Sequence, residues 1–176
     1  MRSDRLNLAF IAGPAELPDF HSRRIWTEPL VAVLPERHPL AKQSAVTWPD
    51  LVGETFLVRH GSTGPQAYDH IILRLAGCLP PPSIQRFDVG RGTLLSMVEQ
   101  GFGITIVGAA TALLPTTGLV FLPFADEPEP VSFSAIWSPF TRNPAIRNML
   151  VLAGKLGRIC DSAPGDIQHE PRDRPQ

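Results

Sequence analysis

Hydrophobic residues along the chain fall into short runs separated by proline, glycine and polar residues. A longer run at 25–34 is interrupted by Pro29, and proline cannot donate a hydrogen bond to a neighbouring strand. We therefore predict that the strand there changes neighbours at Pro29. The shorter runs predict buried strands at residues 6–11, Thr55–Arg59, 84–89, 103–107 and 119–122.

Three stretches show the three-and-four spacing of an amphipathic helix. A helix opened by the loop at 61–65 ends at Gly77, and a second one ends at Gly101. Asn143 caps the last helix, with Pro144 at its first position. The apolar positions are Tyr68, Ile71, Ile72, Leu75 and Ala76 in the first helix, Leu94, Leu95, Met97 and Val98 in the second, and Ile146, Met149, Leu150, Ala153 and Leu156 in the third.

The order of these elements predicts an α/β fold. Strand, helix, strand, helix and strand follow one another over 55–107, which is typical of a mostly parallel sheet. Beyond it, apolar residues alternate with serine over Val131–Trp137, as in a half-buried strand. This strand and the last helix could pack with the first strand as a second, smaller lobe. A cleft between two lobes is a common place for a small-molecule site.

Composition and charge narrow the function classes. The 176 residues are 43% hydrophobic, so the chain can bury a real core. The 16 Lys and Arg balance 17 Asp and Glu, and the net charge of -1 argues against DNA binding by this chain. No apolar stretch reaches the length of a membrane span and no signal peptide opens the chain, which predicts a cytoplasmic protein without membrane contact. Residues 161–176 are polar and rich in proline, and predict a disordered tail.

The sequence carries no recognisable catalytic or metal-binding motif. The five histidines are scattered, and Cys78 and Cys160 are not part of a C-x-x-C pair. Signatures of hydrolases, nucleotide-binding loops and zinc proteases are missing. We therefore predict no catalytic residues, no metal and no cofactor, and a protein that is not an enzyme.

Two loops carry the strongest functional signal. The loops at 61–65 and 90–93 each follow a strand and open a helix, where ligands bind in open α/β sheets. Ser62, Thr63 and Thr93 supply hydroxyl groups, and Arg59 and Arg91 supply positive charge. The alternative is that serine, threonine and glycine before a helix merely cap it.

Four motifs resemble one known family. The segment LVAVLPERHPLA at 30–41 looks like the effector-binding domain of LysR-type transcriptional regulators. The stretches at 6–10, 48–56 and 94–106 are similar to three further motifs of the same family, in the same order. Two departures are Asn7, where the family usually has aspartate, and Gly108, where it usually has proline.

The resemblance implies a periplasmic-binding-protein-like fold of type 2. The second subdomain, at 27–130, would be complete, and 1–26 with 131–160 would form a partial first subdomain with the crossing strands. In the family a small effector sits between the subdomains. The resemblance implies that the residues touching it are Ser62, Thr63, Gly64, Asp88, Gly90, Arg91, Gly92 and Thr93.

The function implied is that of a ligand-sensing domain of a LysR-type regulator, which binds a small, anionic metabolite to control transcription. Nothing in the chain matches the family's helix-turn-helix, so DNA would be bound only through a domain absent from this chain. The resemblance also implies a homo-oligomer. Two alternatives stay open: a stand-alone small-molecule binding module, and a truncated regulator that acts by hetero-oligomerisation.

Overall fold

The computed structural model describes residues 7–13, 17–127 and 130–161. Three antiparallel strands form the first of two main sheets, in the order β1-β8-β2, and an 18-residue helix, α3, packs against β2. The central strand β8 pairs with both neighbours, so the backbone groups on both of its edges have strand partners. The elements of this part are β1 (Leu8–Ala12), β2 (His21–Glu28), β8 (Val131–Trp137) and α3 (Pro144–Asp161).

The second sheet contains the remaining five strands. Its strand order is β5-β4-β6-β3-β7, in which β4 reaches β6 through a parallel bridge between Phe56 and Ile104. Four strands run in one direction and β3 runs against them, so the predicted, mostly parallel sheet is confirmed. The strands are β3 (Leu30–Pro35), β4 (Thr55–Arg59), β5 (Ser83–Phe87), β6 (Thr105–Gly108) and β7 (Leu119–Pro123).

Two helices cover the opposite faces of this second sheet. Side chains alternate along β3 and β4, so Leu34 and Phe56 face one helix while Val33 and Leu57 face the other. These strand residues are fully buried. The helices are α1 (Gly64–Arg74) and α2 (Arg91–Glu99), and three short 3-10 helices lie at Pro39–Lys42, Pro49–Leu51 and Ala109–Leu113.

Pro29 separates the two sheets. β2 ends at Glu28 and pairs with β8, whereas β3 begins at Leu30 and pairs with β6 and β7. The Pro29 carbonyl accepts a hydrogen bond from the backbone N–H of Ala109 at 2.9 Å. The predicted change of neighbours at this proline is therefore confirmed.

Short-range polar bonds lie at two helix starts, of which the one at Asn143 was predicted. The Thr47 backbone N–H and hydroxyl each donate to Asp50 Oδ2 at 2.7 Å, and these bonds hold the pKa of Asp50 below its usual value. The Ala145 backbone N–H donates to Asn143 Oδ1 at 3.0 Å at the start of α3. The local sequence was sufficient to locate the start of α3.

Several element bounds differ from the predictions. β2 begins at His21 rather than at 25, and β5 ends at Phe87, which leaves Asp88 outside it. Helix α1 ends at Arg74, before Gly77, whose φ of 80° turns the chain. α3 extends to Asp161, and residues 162–176 of the predicted tail lie outside the described residues.

The predicted apolar faces of the first and third helices were partly wrong. In α3, Ile146 and Leu150 are buried, but the Met149 and Leu156 side chains are about half exposed. In α1, Ile72 is also exposed, on the side away from the buried Ile71. The physical reason is that α3 is apolar on more than one side, so its periodicity does not say which side meets the sheet.

Candidate functional site

A hollow lies where β4 and β6 end and α1 and α2 begin. It is small and partly open to solvent. Its position at the carboxyl ends of parallel strands is where open α/β sheets bind ligands. The lining residues are Val58, Arg59, Thr63, Gly64, Ala67, Arg91, Leu94, Leu95, Thr105, Ile106 and Val107.

Gly64 brings the start of α1 directly onto β4. A Cβ atom at this position would lie 1.8 Å from the carbonyl oxygen of Arg59, so only glycine fits without movement of the backbone. The loop before it turns through Ser62, whose φ is 57°, and the Gly64 N–H donates to the Gly61 carbonyl at 3.1 Å. This tight loop sets the depth of the hollow on the α1 side.

Neither helix that opens onto the hollow has a side-chain cap. Thr63 precedes α1 and Gly90 precedes α2, and within the described chain neither helix start shows a side-chain capping bond. The alternative that the loop hydroxyls serve only as caps therefore does not hold for Thr63. The first-turn N–H groups of α2 carry partial positive charge and favour an anion nearby, whereas in α1 the Gly64 N–H is already bonded and Pro65 has none.

The predicted site residues fall into two groups. Thr63, Gly64 and Arg91 line the hollow. The other five predicted residues are exposed and lie beside it in the chain without lining it: Ser62, Asp88, Gly90, Gly92 and Thr93. Their part in ligand binding stays a prediction.

The sequence reasoning missed the apolar floor of the hollow. The floor comes from strand ends and from the first turns of both helices, namely Val58, Ala67, Leu94, Leu95, Ile106 and Val107. From the sequence, all of them except Ala67 were placed in buried strands or on apolar helix faces, and Ala67 was not singled out. A strand residue at the edge of a cleft has the same sequence pattern as one in the core. The nearby Thr105 hydroxyl donates to the Leu57 carbonyl at 2.7 Å, so its proton is already used.

The hollow combines an apolar floor with a cationic edge. Arg91 is exposed, and Arg59 is half-buried with its guanidinium 3.5 Å from the Gly61 carbonyl. Among the described residues, no three His, Cys, Asp or Glu side chains lie close enough together to hold a metal ion. Such a surface suits a small molecule with an apolar body and a negatively charged group.

A second polar cluster centres on Glu127, between β7 and β8. Its side chain is only 4% exposed. It accepts hydrogen bonds from Trp48 Nε1 at 3.0 Å and Arg74 Nε at 2.9 Å, and lies 2.8 Å from His70 Nε2. Burial by itself would raise the pKa of Glu127, but the bonds from Arg74, His70 and Trp48 hold it below its usual value.

No helix in the described part of the chain combines the length and the hydrophobicity that crossing a membrane requires.

A family profile described as the LysR substrate binding domain matches residues 1–155. The chain belongs to this family. Its members are effector-binding domains of transcriptional regulators and not enzymes, which confirms both the family and the non-enzymatic function predicted from the sequence.

Two curated relatives are transcriptional regulators. The chain is 29% identical over 126 residues to the HTH-type transcriptional regulator CatR of Pseudomonas putida, a match that covers 72% of this chain and 43% of CatR. It is 25% identical over 156 residues to the Hca operon transcriptional activator HcaR of Escherichia coli K12, covering 86% of this chain and 51% of HcaR. The chain therefore spans about half the length of these relatives.

Solved structures of effector-binding domains share the fold. The reduced OxyR regulatory domain of Pseudomonas aeruginosa superposes with a TM-score of 0.73 at 17% identity, over 88% of this chain and 75% of that one. The BenM effector-binding domain with its effector benzoate gives 0.72 at 20% identity, over 96% and 78%. The QuiR effector-binding domain in complex with shikimate gives 0.72 at 17% identity, over 90% and 75%. The predicted periplasmic-binding-protein-like fold of type 2 is thereby confirmed.

Proposed function

We propose that this chain is the effector-sensing part of a LysR-type transcriptional regulator, and that it binds a small anionic metabolite in the hollow between α1 and α2. The observation that carries the proposal is the combination in one place of two uncapped helix starts, Arg59 and Arg91, and an apolar floor. Family membership supports the sensing role.

The ligand class follows from charge and from the floor of the hollow. The first-turn N–H groups and the arginines favour a carboxylate or a similar anion. The aliphatic floor favours an apolar body on the same molecule. Two structural neighbours carry benzoate and shikimate, both of which are small ring carboxylates. We extend that ligand class to this chain.

Each predicted residue has a part in this arrangement. Thr63, Gly64 and Arg91 contact the anion directly, and Arg59 strengthens the positive edge. The exposed neighbours close over the ligand from the two loops: Ser62, Asp88, Gly90, Gly92 and Thr93. We place the two subdomains at 27–130 and at 1–26 with 131–160, with Pro29 at a crossing between them.

The remaining functions are assigned to the whole regulator. DNA recognition belongs to a helix-turn-helix domain outside these 176 residues, since this chain has a net charge of -1 and no basic excess. The regulator acts as a homo-oligomer in the cytoplasm, where its DNA is.

A thermal-shift experiment with matched ligands tests the proposal. Benzoate and shikimate should raise the melting temperature of the parent chain, and the uncharged amide benzamide should not. Arg91→Ala should weaken carboxylate binding at least about tenfold, because a hydrogen bond to a charged group contributes roughly 1.5–3 kcal/mol.

Arg142→Ala is the matched control, since Arg142 is exposed and does not line the hollow. It should bind as the parent does. If Arg91→Ala responded to carboxylates as strongly as the parent, the assignment of the hollow would be wrong.

A further inference from the structure

Glu28 brings a carboxylate to the edge of the hollow from the first sheet. It is the last residue of β2 and directly precedes Pro29. Its Oε2 atom lies against the backbone of Gly108, the last residue of β6, since a Cβ atom built on Gly108 would be 2.0 Å from that oxygen. The residue before Gly108, Val107, lines the hollow. The carboxylate is therefore one residue beyond the lining, on the side of β6.

The carboxylate also lies on the same face of the second sheet as part of that lining. Side chains alternate along a strand, so position 108 faces the same side as Ile106, which lines the hollow. Leu30, the strand partner of Gly108, packs in one core cluster with Ile106. At about 3.3 Å per residue, Gly108 is roughly 7 Å from Ile106, further towards the carboxyl end of the strand.

One oxygen of Glu28 is held by the protein and the other is available. Trp26 Nε1 donates to Glu28 Oε1 at 2.9 Å, and the Trp26 ring is stacked on Phe133 with the ring centroids 4.8 Å apart. The side chain is thus oriented by a neighbour that is itself packed. Within the described part of the chain no group donates a hydrogen bond to Oε2, and Glu28 is only partly buried. Since an ionised carboxylate only accepts, Oε2 can accept a bond from a ligand.

Glycine at position 108 gives the carboxylate its place. The three atoms nearest to a Cβ built there all belong to Glu28, so any larger residue would turn the carboxylate away from β6. The backbone at Gly108 has a φ of -69° and a ψ of 144°, an extended conformation that other residues also adopt. The space that Glu28 occupies, and not backbone strain, is therefore what requires glycine here.

The hollow consequently has opposite charges at two neighbouring strand ends. Arg59 ends β4 and Arg91 opens α2, and both belong to the cationic edge. β6 lies next to β4 in the sheet, and neighbouring strands are about 4.8 Å apart. A small molecule bound there would have positive charge on one side and the Glu28 carboxylate on the other.

We propose that Glu28 determines which small acids the hollow accepts, an inference that rests on the proposed function. The metabolite carries, besides its negatively charged group, a hydroxyl or amino group whose hydrogen bond Glu28 Oε2 accepts. A purely apolar acid would remove water from this oxygen without replacing the lost bond, which weakens its binding. Because Glu28 belongs to β2, a ligand with such a donor contacts both sheets at once.

Isothermal titration calorimetry with a matched pair of acids tests this selection. The pair is shikimate and cyclohexene carboxylate, which has the same ring and carboxylate without the hydroxyl groups. The ratio of their dissociation constants is measured, because loss of a nearby negative charge changes the affinity for both acids alike. Glu28→Gln should shift this ratio against shikimate by about five- to tenfold, since a charged acceptor bonds roughly twice as strongly as a neutral one. Glutamine still accepts the bond from Trp26, so the melting temperature should not change.

Gly108→Ala tests the position of the carboxylate independently. The new methyl group should turn Glu28 away and shift the ratio in the same direction as Glu28→Gln. Both substitutions in one chain should shift it no further than Glu28→Gln alone, because they remove the same contact. Glu36→Gln is the matched control, since Glu36 is exposed and follows the end of β3 that is far from Leu30. It should keep the ratio of the parent.

The possible outcomes separate this inference from the proposed function. If the parent binds both acids and Glu28→Gln keeps their ratio, the role of Glu28 is wrong and the proposed function stands. If Gly108→Ala keeps the parent ratio while Glu28→Gln shifts it, the carboxylate does not act from its place over Gly108. If the parent binds neither acid, the proposed function itself is wrong, and the role of Glu28 is rejected with it.

Discussion

Gly64 shows how one missing side chain shapes the hollow. Its amide lies so close to β4 that any larger residue would collide with the backbone oxygen of Arg59. Since that oxygen belongs to a strand in the middle of the sheet, it cannot move aside as the end of a flexible side chain could. Gly64 therefore sets the distance between the start of α1 and β4, whose end forms part of the floor of the hollow.

Alanine substitution tests this coupling. Gly64→Ala should destabilise the chain by about 1–3 kcal/mol, the usual cost of overpacking a filled space. Gly61→Ala should have little effect, because a Cβ at Gly61 would meet nothing within 4 Å. Urea unfolding of both variants measures the difference, and equal stabilities would contradict the close approach of α1 to β4.

At the scale of single elements, α3 depends on two glycines with opposite surroundings. Gly157 lies against β2, where a Cβ would be 2.5 Å from a backbone oxygen. Gly154 has only the end of the Arg23 side chain near it, at 3.5 Å, which is ordinary contact. The same substitution should therefore change stability in opposite directions at these two positions.

Gly154→Ala should stabilise the chain by about 0.5–1 kcal/mol, because alanine is a better helix former than glycine. Gly157→Ala should destabilise it, since the helix must move away from the sheet to admit the new methyl group. Thermal unfolding of the two variants under one set of conditions makes the comparison. A stabilised Gly157→Ala variant would show that the helix is not held as closely as described.

Much of this element structure could be predicted from local patterns. Pro29 marked the change of sheet, and Asn143 marked the start of α3, because each acts through its own backbone or through its nearest neighbours. The face of α3 could not be predicted, since Met149 and Leu150 are both apolar and only the packing of small residues against β2 decides between them. The sequence indicated that two helix starts lie beside the hollow, whereas the apolar residues that line it were not indicated.

At the scale of the whole molecule, Glu127 joins distant parts of the chain. Its partners Trp48, His70 and Arg74 lie 53 to 79 residues away in sequence, so no local pattern could have indicated the cluster. The carboxylate sits on the segment that runs from the second sheet to the first. Its bonds therefore hold this crossing segment against α1.

Acid should weaken this attachment. The folded state holds the pKa of Glu127 below its ordinary value of 4.5. The ionised carboxylate therefore stabilises the fold fully above pH 4.5, and this stabilisation is lost as the pH falls through the lower pKa of the folded state. Glu127→Gln should lower the free energy of unfolding at pH 7 by about 1–3 kcal/mol, and the difference from the parent should shrink below pH 4.5.

Glu36→Gln, at an exposed glutamate beyond β3, serves as the control, and its free energy of unfolding at pH 7 should be close to that of the parent. Urea unfolding of both variants and the parent is measured between about pH 3 and pH 7, in steps of roughly half a pH unit. If the difference in the free energy of unfolding between Glu127→Gln and the parent stayed constant down to acid pH, the ionised carboxylate would not be what holds the crossing segment.

Helix α1 connects the hollow to the attachment at Glu127. The helix begins at Gly64, at the edge of the hollow, and ends at Arg74, one of the partners of Glu127. Its 11 residues form a rod of about 16 Å that is held at both ends. A ligand bound at the proposed site would therefore contact one end of a helix whose other end is tied to the segment between the two sheets.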